Sequence, residues 1–193
     1  MNKSISIIFT VLALAALSCT NLDIKPASSV NNEVVFDDPG SYKAFIARVY
    51  SGLAVSGQRG PDGDSDIMGI NEGFGNYMRG YWQLQTLSTD EAVIAWNDGT
   101  LYELHNQDWS PTNEFITATY NRIYVQIAMA NEFLRETSDE KLSDRGVEGA
   151  LYDDIQDYRA EARFLRALSY WHGMDLFGNI PFVTEEDQIG IEW

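Results

Sequence analysis

The chain has 193 residues, with 45% hydrophobic and 12% aromatic residues, and this composition excludes a disordered polypeptide. Its formal net charge of −16 argues against a nucleic-acid partner, because phosphates call for a basic surface. The single cysteine excludes a disulfide framework.

The first eighteen residues have the build of a secretory signal peptide. Lys3 gives a short basic start, and the apolar run at 5–17 is shorter than the roughly 20 residues that a membrane-spanning helix needs. Cys19 stands directly behind Ser18, which resembles the lipoprotein box in which the cysteine is acylated. The alternative is a secreted protein with one free thiol. We predict that residues 1–18 are removed, that acylated Cys19 anchors the chain to a membrane, and that residues 19–38 form a tether.

The remaining residues, 39–193, are predicted to form a helical domain. It opens with an apolar stripe at spacings of three and four, which predicts a helix and consists of Tyr42, Phe45, Ile46, Val49 and Leu53. Residues 56–80 are rich in glycine and have little periodicity, so we predict a long loop there. Loops of this length are often functional.

Two long helices are predicted in the second half of the chain. The first begins with Ser110 as its N-cap and Pro111 at its first helical position, and it ends near residues 137–139. The second covers residues 152–177 and stops at Gly178. Two long antiparallel helices joined by a turn are the unit of helical-repeat proteins, so the predicted class is mainly α, with long irregular loops.

The second of these long helices carries two apolar rows. The first row consists of Ile155, Tyr158, Ala162 and Leu165, and the second of Phe164, Leu168 and Trp171. Two rows indicate burial over a wide arc, so we expect this helix to pack between others. The second row should then be buried against the preceding helix, at Tyr120, Ile123 and Ile127.

The sequence offers no convincing metal or cofactor site. Asp62, Asp64 and Asp66 match the first ligands of a calcium loop, but Ile67 stands where that loop needs glycine and Gly73 where it needs glutamate. The two histidines, His105 and His172, are far apart and lack partners at ligand spacing, so we interpret them as structural or surface residues.

The stretch LSTDEAVIAWNDGT at 87–100 raises the choice between cleaving and holding a sugar. Asp90 and Asp98 could be the two carboxylates of a glycosidase, although no acid here stands in an apolar setting. Exposed indoles, in contrast, cover the apolar face of a sugar ring. Tryptophans stand in or beside irregular segments at positions 82, 96 and 109. We therefore predict ligand contacts on one irregular face formed by residues 56–82 and 91–99, with the candidates Trp82, Asp64, Asp66, Trp96 and Asp98.

Four stretches of the chain resemble the SusD/RagB family of surface lipoproteins. They are CTNLDIKP, LSTDEAVIAWNDGT, DWSPTNEFITATYNRIYVQIAMANEFL and RAEARFLRALSYWHGMDLFGNIPFVTEE. The resemblance implies tetratricopeptide-like helix pairs and a place on the extracellular face of the outer membrane. It also implies that the protein is not an enzyme: it would bind a glycan and deliver it to a SusC-like TonB-dependent transporter.

In starch-binding members, an aromatic residue and an asparagine after the Thr-Asp-Glu triplet contact the glucan. The matching positions here are Ile94 and Gly99, so the resemblance does not imply starch as the ligand. Members are also much longer, so we expect this chain to be an N-terminal portion that exposes apolar surface. Two alternatives stay open, namely the same architecture serving peptide uptake and a glycan-cleaving enzyme.

Overall fold

Six α-helices lie in the residues that the computed structural model describes, which are 35–56, 66–70 and 73–188. They are α1 (Gly40–Ser51), α2 (Tyr77–Leu87), α3 (Gly99–Asn106), α4 (Glu114–Glu136), α5 (Asp139–Asp144) and α6 (Gly149–Phe177). None of the described residues is in a β-strand. The predicted mainly α class is confirmed, whereas the predicted signal peptide, Cys19 and Asp64 lie outside the described residues.

Helices α4 and α6 form the predicted antiparallel pair. Near the start of α4, the ring of Tyr120 meets Phe177 edge to face, with 5.2 Å between centroids. At the C-terminal end of α4, the Arg159 guanidinium of α6 donates to the carbonyl oxygens of Leu134 and of the C-cap residue Thr137, at 2.8 and 2.5 Å. The start of α4 therefore lies beside the end of α6. The short helix α5, which the sequence analysis missed, fills the turn between them.

The N-terminus of α4 is capped by Asn113, so the prediction of Ser110 as the cap was wrong. The Asn113 side-chain oxygen accepts hydrogen bonds from the backbone N–H groups of Phe115 and Ile116, at 3.0 and 3.3 Å. Ser110 instead closes a turn, in which its hydroxyl oxygen accepts from the N–H of Thr112 at 3.1 Å. An amide side chain that satisfies two free N–H groups fixes the first turn more firmly than a proline can.

Helix α2 corrects the prediction of a loop from 56 to 80. Asn76 begins it as an N-cap, because its side-chain oxygen accepts from the N–H of Arg79 at 3.1 Å. Gly80 lies inside the helix, where a Cβ atom would stand 2.5 Å from the Thr119 hydroxyl of α4. This glycine permits a close helix–helix contact and does not break the helix. Trp82 consequently lies on a helix and not in an irregular segment.

A buried arginine joins α4 to the segments that precede α2. The side chain of Arg122 is 2% exposed and forms an ion pair with Asp66 at 2.6 Å. Its Nε atom donates to the carbonyl oxygen of Gly75 at 2.7 Å, and a terminal nitrogen lies 3.4 Å from the carbonyl oxygen of Ser56. Arg48 of α1 reaches the same Asp66 carboxylate at 3.6 Å. These bonds fix where α2 starts relative to α1 and α4.

The two apolar rows of α6 have different environments. Ile155, Ala162 and Leu165 of the first row are buried, as predicted. Phe164 and Trp171 of the second row are 64% and 56% exposed, so their predicted burial against α4 was wrong. Position 164 lies about 200° around the helix from position 162, and only the face of the first row meets α1 and α4.

His172 of α6 is buried in a small aromatic cluster with α2. Its Nδ1 atom lies 2.9 Å from the Tyr77 hydroxyl, and its ring stacks on Tyr81 with 4.0 Å between centroids. Burial lowers the pKa of His172 from 6.5, and the neighbouring Asp175 carboxylate opposes this shift. Burial also raises the pKa of Tyr77 to about 12. The neutral imidazole is therefore the form that the folded chain stabilises.

Phe133 of α4 and Phe164 of α6 test which face of α6 is covered, because Phe133 packs in the core with the first row of α6 and Phe164 belongs to the second row. Phe133 is fully buried and packs edge to face on Phe45, whereas Phe164 is exposed. We expect Phe133→Ala to lower the free energy of unfolding by about 3–5 kcal/mol through loss of burial and cavity formation. Phe164→Ala should lower it by less than about 1 kcal/mol, since it removes little buried surface. Urea denaturation measures both values, and equal losses would contradict the described exposure of the second row.

The depressed pKa of His172 makes stability depend on pH. Because the unfolded chain binds the proton more readily, the stability contributed by neutral His172 is fully present above pH 6.5. It is lost as the pH falls below that value toward the folded-state pKa. Urea denaturation at about pH 7.5 and about pH 5.5 should therefore give a smaller loss for His172→Gln than for the unmodified chain. An identical loss in both proteins would show that other groups cause it.

Candidate functional site

The α2–α3 loop (residues 88–98) carries the predicted site stretch and is fixed to the protein from one side. Ala92 and Ile94 pack on the apolar cluster beneath the loop. The Ile94 N–H donates to Nε2 of His105 at 3.0 Å, and the Gln107 amide donates to the carbonyl oxygen of Ser88 at 2.8 Å. Ala92 and Ile94 thus face inward, whereas the side chains of Glu91, Val93 and Ala95 face solvent.

Trp96 is held in place by its neighbours while much of its ring remains exposed. Its side chain is 45% exposed and meets Phe74 edge to face, with 5.6 Å between centroids. The Arg79 guanidinium lies 4.4 Å from the Phe74 centroid and 5.5 Å from the Trp96 centroid. Arg79 is itself fixed by a 2.6 Å hydrogen bond to the carbonyl oxygen of Gly73. These contacts hold the ring while nearly half of the side chain stays exposed to solvent.

Trp82 belongs to the same surface through Arg79. It is 54% exposed and follows Arg79 by three positions on α2, a spacing at which helical side chains are neighbours. Arg79 in turn contacts Trp96. We call Trp82, Arg79 and Trp96 the indole surface. Trp96 thus lies beside Arg79 by direct contact from the loop, and Trp82 follows Arg79 by one helical turn on α2.

The predicted acidic residues separate into different environments. Asp98 is exposed at the N-cap position of α3, and its side chain makes no capping hydrogen bond. Asp66 instead forms an ion pair with the buried Arg122 and contacts Arg48, which is a structural role. Asp64 lies outside the described residues. Among the described acidic candidates, Asp98 therefore remains a candidate for ligand contact. It lies two positions after Trp96 in the sequence and forms no ion pair with another described residue.

The carboxylates of the α2–α3 loop lack the setting of a glycosidase. Asp90 and Asp98 are both exposed. A general acid for sugar cleavage needs apolar surroundings that keep it protonated, and neither side chain has them. Within the described residues, no cluster of three or more histidine, cysteine or acidic side chains could hold a metal ion. His105 and His172 bond to Ile94 and Tyr77 instead, which confirms their structural interpretation.

The sequence does not predict Arg79 of the indole surface, nor Phe74, which contacts Trp96. The predicted loop at 56–80 includes both residues, and neither is among the predicted ligand contacts. Two signals could have identified Arg79. Asn76 followed by a helical run indicates an N-cap, and the three-residue spacing of Arg79 and Trp82 places both on one face. The contact of Arg79 with Trp96 joins two separate segments of the chain, so no local sequence pattern predicts it.

Among the described residues, no helix is both long enough and apolar enough to cross a membrane.

Comparisons with known proteins agree on one family. Residues 68–189 match the SusD-like family model described as starch-binding and associating with the outer membrane. The starch-binding protein SusD of Bacteroides thetaiotaomicron is 34% identical over 177 residues, which cover 91% of this chain and 29% of that protein. Two SusD-like proteins of Formosa agariphila are 26% and 24% identical, over 93% and 94% of this chain and 31% of each relative.

The chain thus spans less than a third of the length of these relatives. The matching family is described by what it binds, and this agrees with the prediction that the chain is not an enzyme. Since the family model covers more than half of the 193 residues, the chain belongs to the SusD-like family.

Proposed function

We propose that this chain binds carbohydrate at the outer membrane, and that the indole surface contacts the ligand. The half-exposed ring of Trp96, held by Phe74 and Arg79, is the observation that carries this proposal, and the half-exposed Trp82 one helical turn beyond Arg79 extends it. The 34% identity to a starch-binding protein and the match to a starch-binding family support the class of ligand. The ligand is an oligosaccharide or polysaccharide, and the chain captures it without cleaving it.

The chemistry of the surface suits a neutral sugar. The C–H groups of a pyranose ring form an apolar face that an indole can cover, so Trp96 and Trp82 provide stacking positions. Phe74 and Arg79 hold the Trp96 ring before any ligand arrives, which reduces the entropy lost on binding. The Arg79 guanidinium can donate hydrogen bonds to hydroxyl oxygens, and the exposed Asp98 carboxylate can accept them.

We further propose that capture takes place on the outer face of the outer membrane. Cys19 would carry the lipid anchor there, and a SusC-like TonB-dependent transporter would receive the glycan. The signal-peptide pattern of residues 1–18 and the family description support this location. A net charge of −16 disfavours direct adsorption to anionic lipid, so a lipid anchor is the more suitable attachment.

Removal of either indole tests the binding role. We expect Trp96→Ala and Trp82→Ala each to weaken binding by about 1–3 kcal/mol, by analogy with the stacking of bases on aromatic rings. Isothermal titration calorimetry with maltoheptaose, xylohexaose and an inulin-type fructan of similar length measures this loss. The thermal unfolding temperature of each variant, measured in parallel, shows whether a loss of affinity comes from the missing ligand contact or from unfolding of the protein.

Phe164→Ala is the control, because Phe164 is also an exposed aromatic residue but lies on α6. Its binding should equal that of the unmodified chain. If Trp96→Ala and Trp82→Ala also bind normally, the indole surface does not contact the ligand. If none of the three carbohydrates binds the unmodified chain, the carbohydrate-binding role is wrong for this chain.

A second substitution tests the anchor. If Cys19 is acylated, Cys19→Ala should move the protein from the membrane fraction to the soluble fraction, because several acyl chains contribute about 0.8 kcal/mol per buried methylene. Fractionation of cells that express either form, with metabolic labelling by a fatty acid, provides the measurement. Unchanged membrane association of Cys19→Ala, or no label on the unmodified protein, would contradict the lipoprotein assignment.

A further inference from the structure

A separate cavity of about 430 Å³ lies between the C-terminal ends of α2 and α6, and no comparison assigns it a role. Its size falls in the range of small-molecule sites. Apolar side chains that include Leu104 and Ile116 line one part, and Trp109 forms another. Gln85, Ser88 and Asp175 supply the polar groups. The lining thus combines an apolar part, one indole and a few polar atoms.

Trp109 is held in position by the turn before α4. Gln107 ends α3 with a φ of 57°, which reverses the chain direction. The carboxylate of Glu103 then accepts hydrogen bonds from the Ser110 N–H at 3.3 Å and from the Asn113 amide at 2.9 Å. Trp109 lies between these fixed points and is 44% exposed. Its ring is therefore available to a ligand without forming part of the main core.

The polar groups of the cavity are already oriented. The Gln85 amide nitrogen of α2 donates to a carboxylate oxygen of Asp175 on α6, at 2.5 Å. The second oxygen of Asp175 and the carbonyl oxygen of Gln85 can still accept hydrogen bonds. The Ser88 hydroxyl donates to the carbonyl oxygen of Leu84 at 2.7 Å, so its oxygen remains an acceptor. Acceptors that converge on one cavity suit a ligand with several hydroxyl donors.

We propose that this cavity binds one ring of a neutral saccharide, as a second subsite distinct from the indole surface. An anion is disfavoured, because the lining contains the Asp175 carboxylate and neither lysine nor arginine. A purely apolar ligand is also disfavoured, because it would desolvate Asp175 and Gln85 without replacing their bonds to water. A sugar ring meets both demands, since its C–H face covers Trp109 and its hydroxyls reach the acceptors.

The cavity and the indole surface lie on different sides of α2. Leu84, Gln85 and Ser88 turn toward the cavity, whereas Arg79 contacts Trp96. Trp82, the member of the indole surface that precedes Gln85 by three positions, is on α2 the one nearest to the cavity. A ligand of several sugar units could occupy both at once. The inference rests on the proposed carbohydrate ligand, but it depends on other residues.

Calorimetric titration of the full chain with maltoheptaose, xylohexaose and an inulin-type fructan tests the cavity. Trp109→Ala should weaken binding of at least one of them by about 10- to 100-fold, the effect of one lost stacking contact. Asp175→Asn keeps the shape but removes the charged acceptor, and should weaken the same binding by about tenfold. Trp171→Ala is the control, because this half-exposed indole of α6 is not part of the cavity lining, and its affinity should not change.

The outcomes separate this inference from the proposed function. If Trp96→Ala weakens binding while Trp109→Ala and Asp175→Asn leave it unchanged, the cavity is not a subsite and the proposed function stands. If no probe binds the unmodified chain, both proposals are wrong. Thermal unfolding of each variant shows whether it is folded. If Trp109→Ala is unfolded, the Asp175→Asn affinity determines whether the cavity is a subsite, because that substitution preserves the packing volume.

Discussion

The buried guanidinium of Arg122 is the constraint on which the placement of α2 depends. It bonds to Asp66 and to the carbonyl oxygens of Ser56 and Gly75; the carbonyl partners lie 66 and 47 positions earlier in the chain than Arg122. A charge that is 2% exposed must keep its partners, because removing one leaves an uncompensated group in the interior. The network thus determines where α2 begins on the surface of α4, and α2 carries residues of both proposed sites.

From that fixed start, α2 presents three different faces. Gly80 approaches α4 closely, and Arg79 turns toward Trp96 of the α2–α3 loop. Gln85 turns toward α6, where it bonds to Asp175. The helix α2 therefore packs tightly on α4 with one face, and its other faces contribute residues to the indole surface and to the cavity. This arrangement gives the proposed binding residues a rigid support, which the loop in the original prediction would not have given.

The sequence predicted the long helices better than their contacts. Periodicity located α4 and α6 because each repeats apolar residues over several turns, and the first row of α6 is buried as expected. It could not distinguish that row from the second, because Phe164 and Trp171 are as apolar as residues that are buried. Only the positions of α1 and α4 around α6 decide which face is covered. The local sequence pattern determines whether a helix is amphipathic, whereas the burial of an apolar row also requires a neighbouring helix that covers it.

For the candidate site, the sequence determined the residue types and the tertiary structure decided their roles. Composition and motif indicated tryptophans and aspartates near residues 56–99, together with the SusD-like family that the comparisons establish. The structure then assigned Asp66 to Arg122 and moved Trp82 onto a helix, and it left Asp98 exposed. It also joined Trp96 to Arg79, seventeen positions earlier in the chain. A carboxylate or an indole has the same chemistry wherever it stands in the sequence, but its availability to a ligand depends on neighbours that only the folded chain supplies.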